Sequence, residues 1–201
     1  PTDTLYLWCL QAPEHPVLVG TLRLWLTGLR GVSLRYAAGW LQRGFALSED
    51  LPLLDKEHFP SERDTAVGAV DDARPDRWGE RVIRHIERPA RLSLLEMLYF
   101  AGDDRFGALG VSTSIEAYQP HHRGPLPQLG EIEQVHALVR KVLAGQAVPP
   151  ALHRLIAPGA TLGGAQPKAL IEIDGAPWVI KFSEDVGSFT PLLEHACMRL
   201  A

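Results

Sequence analysis

The sequence predicts an α+β protein: a small antiparallel β-meander with helices, then a glycine turn that feeds an antiparallel hairpin and a further helix. Three observations carry this reading. Leu5 to Leu10, Val17 to Thr27 and Val32 to Tyr36 are rich in β-forming residues, with Gly28 and Gly31 as breaks. Trp78, Val82 and Ile86 recur at a spacing of four, and Ile132, Val135, Leu138, Val139 and Val142 recur at helical spacing. Ala169 to Ile173 and Trp178 to Phe182 are apolar, β-branched runs joined by Asp174-Gly175, a strong tight-turn signal.

The intervening elements follow from local chemistry. Gly44 to Arg63 carries prolines and charges with short apolar runs, which predicts loops and one edge strand. Pro75 opens a helix to Arg88, whose Arg77, Arg81, Arg84 and Arg88 form a basic stripe. That stripe reads either as a solvated face partly neutralised by Glu80 and Glu87 or as a surface for a partner or DNA phosphates. Ser93 caps a helix to Phe100. Asp103-Asp104-Arg105 reads as a solvated turn into a strand from Ala108 to Thr113, since no further ligand at suitable spacing supports a metal.

Residues 116–130 hold three prolines, two glycines and the pair His121-His122, and so read as a linker with solvated histidines. A helix from Leu129 to Ala144 follows, Pro149-Pro150 breaks it, and a short helix from Ala151 to Ile156 leads to the glycine turn. The expected division is therefore 1–115, a linker at 116–130, and 131–201. No internal repeat is visible.

Composition excludes several classes. The 201 residues are 46% hydrophobic and 22% charged, with a net charge of −4, so no basic excess recommends the whole chain as a nucleic-acid binder. Cys9 and Cys197 lack metal-ligand spacing and lie in apolar surroundings, which predicts buried free thiols in a reducing cytoplasm. No apolar run approaches the ~20 residues of a membrane span, so a cytoplasmic protein with no membrane partner is expected.

The chemistry concentrates in Thr161-Leu162-Gly163-Gly164-Ala165-Gln166-Pro167-Lys168 and the hairpin after it. Two adjacent glycines among small residues let backbone N–H groups converge on an anion, although paired glycines also make plain connections. Neither GxxxxGK[ST] nor GxGxxG is present, which excludes an ordinary P-loop NTPase. Lys181 interrupts an apolar strand, where burial demands an anionic partner, whereas Lys168 at the end of the turn reads as solvated. Thr190-Pro191 opens a helix in which Glu194 falls one residue too late for a capping box. Glu194 is then either a first-turn acid favoured by the helix dipole, worth only ~0.3–1 kcal/mol, or the partner of a buried Lys181. A glycine-rich turn, a strand lysine and a helix glutamate in that order form the front half of a kinase ATP site, that is, a kinase-like N-lobe with an antiparallel hairpin and an αC-like helix.

The spelling narrows this further. GGAQPKA, a hairpin ending in WVIKFS, and EHACMRLA resemble the nucleotide-binding lobe of the HipA family of bacterial toxin serine/threonine kinases. DDARPDRWGERVI and LYFAGDDRFGALG resemble the N-terminal region of the same family. The resemblance implies phosphoryl transfer from Mg-ATP to a protein hydroxyl, with Lys181 and Glu194 in the catalytic site. Thr161, Leu162, Gly163, Gly164, Ala165, Gln166, Lys168 and Lys181 would hold the nucleotide. It implies an autophosphorylation site at Thr161, an aminoacyl-tRNA synthetase as substrate class, and a helix-turn-helix HipB-like antitoxin through which DNA is reached only indirectly. The sequence has no asparagine, DFG or HRD-like loop, so the catalytic base, the Mg2+ ligands and the C-lobe are expected in residues beyond this chain. The alternative is a non-catalytic binding module that contacts an antitoxin or a separately encoded kinase half, with the Arg77 to Arg88 stripe as its contact. A third possibility is an unrelated small-molecule phosphotransferase.

Overall fold

The structure is a computed structural model that describes residues 3–28, 30–103, 105, 107–121, 124–156, 166–183 and 190–200, with only the backbone of Thr190 and Pro191. The chain is α+β and divides into two compact units, residues 1–75 with 89–122, and residues 76–88 with 123–201. The predicted helix after Pro75 thus belongs to the second unit. The reason is its apolar stripe: Trp78, Val82 and Ile86 share a core with Val135, Leu138, Val139 and Val142, not with the meander.

The first unit is built on β1 (Thr4–Cys9), β2 (Val17–Trp25) and β3 (Gly31–Tyr36), an antiparallel meander as its alternating apolar residues dictate. Helix α1 (Ala38–Arg43) follows, and the short strands β4 (Glu57–His58) and β5 (Thr65–Ala66) both pair with β3, β5 in parallel. After α2 (Ala69–Asp72) the chain leaves the unit for α3 (Arg77–Ile86) and returns with α4 (Leu94–Phe100). Ser93 caps α4 in a reciprocal box with Glu96. Strand β6 (Leu109–Ser112) completes the sheet in the order β4-β3-β2-β1-β6. Leu7, Leu22, Leu34, Val70 and Leu98 are wholly buried in its core.

Two readings of this unit need correction. Residues 116–121 are tied down, because the Tyr118 hydroxyl donates to Asp103 and the His121 backbone N–H donates to the same carboxylate at 2.8 Å. The His121 ring stacks on Tyr99 at 4.8 Å. Nor is the turn at Asp103 merely solvated. Arg105 spends its guanidinium on the carbonyls of Gly102, Leu98 and Ala73, closing the end of α4 against α2. Asp104 and His122 lie outside the described residues.

The second unit comprises α3, α5 (Ile132–Leu143), the hairpin β7 (Lys168–Ile173) and β8 (Ala176–Lys181), and α6 (Thr190–Leu200). Leu129–Glu131 and Pro150–Leu155 form 3-10 turns, in place of the regular helix expected after Pro149-Pro150. Asp174 and Gly175 both take positive φ, 51° and 76°, the geometry a two-residue hairpin turn requires. The core gathers α3, α5, Ala169 and Phe182, and His136 stacks on Phe182 at 5.3 Å. Along the basic stripe, Arg84 pairs with Glu80 one turn away and Arg81 donates to the Leu143 carbonyl at the end of α5.

Burial, with the Asp103 carboxylate behind it, pushes the Tyr118 phenol well above its ordinary range, and burial also raises Tyr36. A raised folded-state value stabilises fully below the unfolded value and is lost as pH climbs through it. Unfolding free energy should therefore fall from about pH 10 upward, as measured by denaturant melts across pH. Tyr118→Phe should flatten that slope while costing about 1 kcal/mol at neutral pH.

Candidate functional site

In the hairpin register Lys168 stands directly opposite Lys181. Cross-strand partners share one face with Cβ atoms about 5 Å apart, so two ammonium groups there repel unless each has a counter-charge. Each has one. Lys168 Nζ donates to Asp76 Oδ2 at 2.5 Å, and Lys181 Nζ pairs with Glu194 of α6.

The two pairs differ in surroundings. The Lys168 and Asp76 side chains are 2% and 11% exposed, those of Lys181 and Glu194 40% and 41%. This reverses the expected burial, in which Lys181 was the withdrawn lysine and Lys168 the solvated one. The cause is position in the two-stranded sheet. The far side of β7 is occupied, since Glu172 N–H donates to the Pro127 carbonyl at 2.7 Å and Trp78 Nε1 to the Lys168 carbonyl at 2.8 Å. Strand β8 is the edge, and its Trp178 is 56% exposed.

Asp76 was missed as a site residue in the sequence, although it carries two duties. Its Oδ1 caps α3 by accepting from Gly79 N–H at 2.8 Å, while Oδ2 holds Lys168. The local signal was present, an aspartate after proline at a helix start, but its partner lies 92 residues away.

Of the residues named from the sequence, Thr161, Leu162, Gly163, Gly164 and Ala165 lie outside the described residues. Gln166 Nε2 donates to the Phe182 carbonyl at 3.5 Å and Phe182 N–H to the Pro167 carbonyl at 2.8 Å. These bonds extend the hairpin by one step, so the turn delivers its last residues beside the end of β8, next to Lys181. Glu194 is half-buried, and Cys197 on the same helix is exposed, against the expectation of two buried thiols; only Cys9 is buried. The neighbours of Cys197 on α6 are exposed as well, so no core shields it. Among the described residues no group of three or more His, Cys, Asp or Glu could hold a metal ion. No helix among them is long and apolar enough to cross a membrane.

Lys181 presents an accessible ammonium held by a helix carboxylate, whereas Lys168 is withdrawn onto Asp76. The chain thus joins a mostly antiparallel α+β unit to a second unit that presents this lysine-bearing hairpin. Residues 15–112 match the family described as the HipA N-terminal domain, which supports a HipA-family protein. That stretch contains both N-terminal segments whose spelling resembles the family, while the hairpin and α6 lie beyond it. No curated protein matches the chain.

The two ion pairs separate experimentally. Asparagine caps a helix as well as aspartate does, so Asp76→Asn removes the negative charge opposite Lys168 while keeping the cap. It should destabilise the protein by roughly 3–5 kcal/mol, as expected when a buried pair is broken. Glu194→Gln, at a half-exposed pair, should cost under about 1 kcal/mol. Chemical denaturation of both variants measures the contrast.

Proposed function

We propose that this chain is the N-terminal part of a HipA-like serine/threonine protein kinase, the toxin of a toxin–antitoxin pair acting in the cytoplasm. The observation that carries the reading is the Lys181–Glu194 pair, a strand lysine held by a helix glutamate on the hairpin that follows the glycine-rich sequence. The donor set fits a nucleotide: Lys181 is accessible enough to reach phosphate oxygens, and Lys168, buried on Asp76, would fix the strand on which the turn lands. Mg-ATP, when bound, supplies the transferable phosphoryl group.

The roles of this chain's residues follow from their positions. Glu194 holds the Lys181 ammonium over the end of β8, where it neutralises phosphate charge without needing to reorganise. Gln166 and Pro167 are hydrogen-bonded to Phe182, beside Lys181 at the end of β8. Thr161 at the start of the glycine-rich sequence is the proposed autophosphorylation site, where about two added negative charges would oppose nucleotide phosphates. The metal ligands and catalytic base are proposed to lie in residues beyond this chain. The protein substrate is proposed to be of the aminoacyl-tRNA synthetase class, and the partner a HipB-like antitoxin.

Lys181→Ala in the full-length protein should abolish ATP-dependent phosphorylation and weaken ATP binding by roughly 10–100-fold, the worth of a charged hydrogen bond. Titration calorimetry with ATP and a radiolabelled phosphorylation assay check this. Undiminished phosphorylation would remove Lys181 from the nucleotide site. Failure of the unmodified protein to bind ATP would favour the non-catalytic binding module.

A further inference from the structure

The first unit contains a cavity of about 330 Å3 lined by Arg30, Arg74 and Arg91 among others, with Asp64 the only carboxylate in the lining. Three guanidiniums around one small space in a protein of net charge −4 is a local excess of positive charge. Their donors are not all spent. Arg30 uses Nε and Nη2 on Asp64 at 3.0 and 2.6 Å. Arg74 uses Nη2 on Asp71 at 2.7 Å, and its Nε is buried with no acceptor. Both Asp71 oxygens are already engaged, Oδ2 by Arg74 and Oδ1 by the Ala66 N–H at 2.6 Å. Arg91 is exposed and makes no hydrogen bond or ion pair among the described residues.

Buried or crowded guanidinium N–H groups are normally satisfied, and a planar fork of donors matches the oxygens of a phosphate bidentately. Apart from Ser93, the remainder of the lining offers no polar side chain, and Trp25 and Met97 are among it. The volume lies at the small end of ligand sites. The geometry points to a binding site for a phosphate monoester, its oxygens on Arg91 and Arg74 and its organic body against Trp25 and Met97. The site is in the first unit and is independent of the nucleotide hairpin.

The same chemistry is offered by a free organic phosphate and by a phosphorylated side chain, so two probes are used. Full-length protein is titrated with phenyl phosphate and with a short phosphoserine peptide flanked by alanines, following the Trp25 indole N–H resonance. Saturable shifts with either probe are expected, weakened as ionic strength rises. Tighter binding of phenyl phosphate assigns the site to a free organic phosphate; tighter binding of the peptide assigns it to a phosphorylated side chain. Arg91→Ala, at an exposed side chain that holds nothing in the fold, should weaken the better probe roughly 10–100-fold. Arg43→Ala, which removes an equal charge from outside the cavity, should leave binding unchanged. Absence of saturable shifts with both probes, unchanged binding in Arg91→Ala, or an equal loss in Arg43→Ala would overturn the assignment.

Discussion

Two lysines facing each other across a hairpin cannot be left alone. Their repulsion is the constraint around which the second unit is arranged, because each must be met by a carboxylate from somewhere else in the chain. Asp76 answers for Lys168 in a nearly dry setting, and Glu194 answers for Lys181 in a half-exposed one. The first pair fixes β7 to the start of α3, with the Trp78 indole adding a second hydrogen bond to the same residue's carbonyl. The second pair sits where an incoming anion could compete for the ammonium. One lysine is thus locked into the architecture while the other stays accessible to solvent, although both occupy the same face of one small sheet.

This division explains why α3 belongs with the hairpin. Its apolar stripe supplies core, its N-cap supplies the counter-charge, and its exposed arginines are partly occupied: Arg84 on Glu80, Arg81 on the last turn of α5. The helix is therefore a structural insert in the second unit before it is anything else. The first unit stands on a different principle, a meander whose alternating side chains fill one core and whose last strand is added from beyond the helical excursion.

What was legible in the sequence was local. The β-rich runs of β1 to β3, the Ser93 cap and the Asp174-Gly175 turn each depend on residues within a few positions of one another, and each appears where expected. The Lys181–Glu194 pair was also within reach, being 13 residues apart. What was not legible required knowing what lay far away. Lys168 looks solvated until a carboxylate 92 residues earlier is placed beside it. Prolines and glycines between 116 and 130 look like a linker until Tyr118 and His121 are seen to converge on Asp103. Arg105 in an apparently polar turn gave no hint that three carbonyls were waiting for it.

The interleaved chain path also sets an order of assembly. During synthesis from the N-terminus, residues 89–122 emerge after α3 and can complete the first unit, while Trp78, Val82 and Ile86 still lack α5 and the hairpin. The nascent protein must carry that greasy helix incompletely covered until the hairpin arrives with Lys168, 92 residues after Asp76, a matter of seconds at ordinary translation speed. Ribosome-bound intermediates of this length are where a holding chaperone would find its substrate.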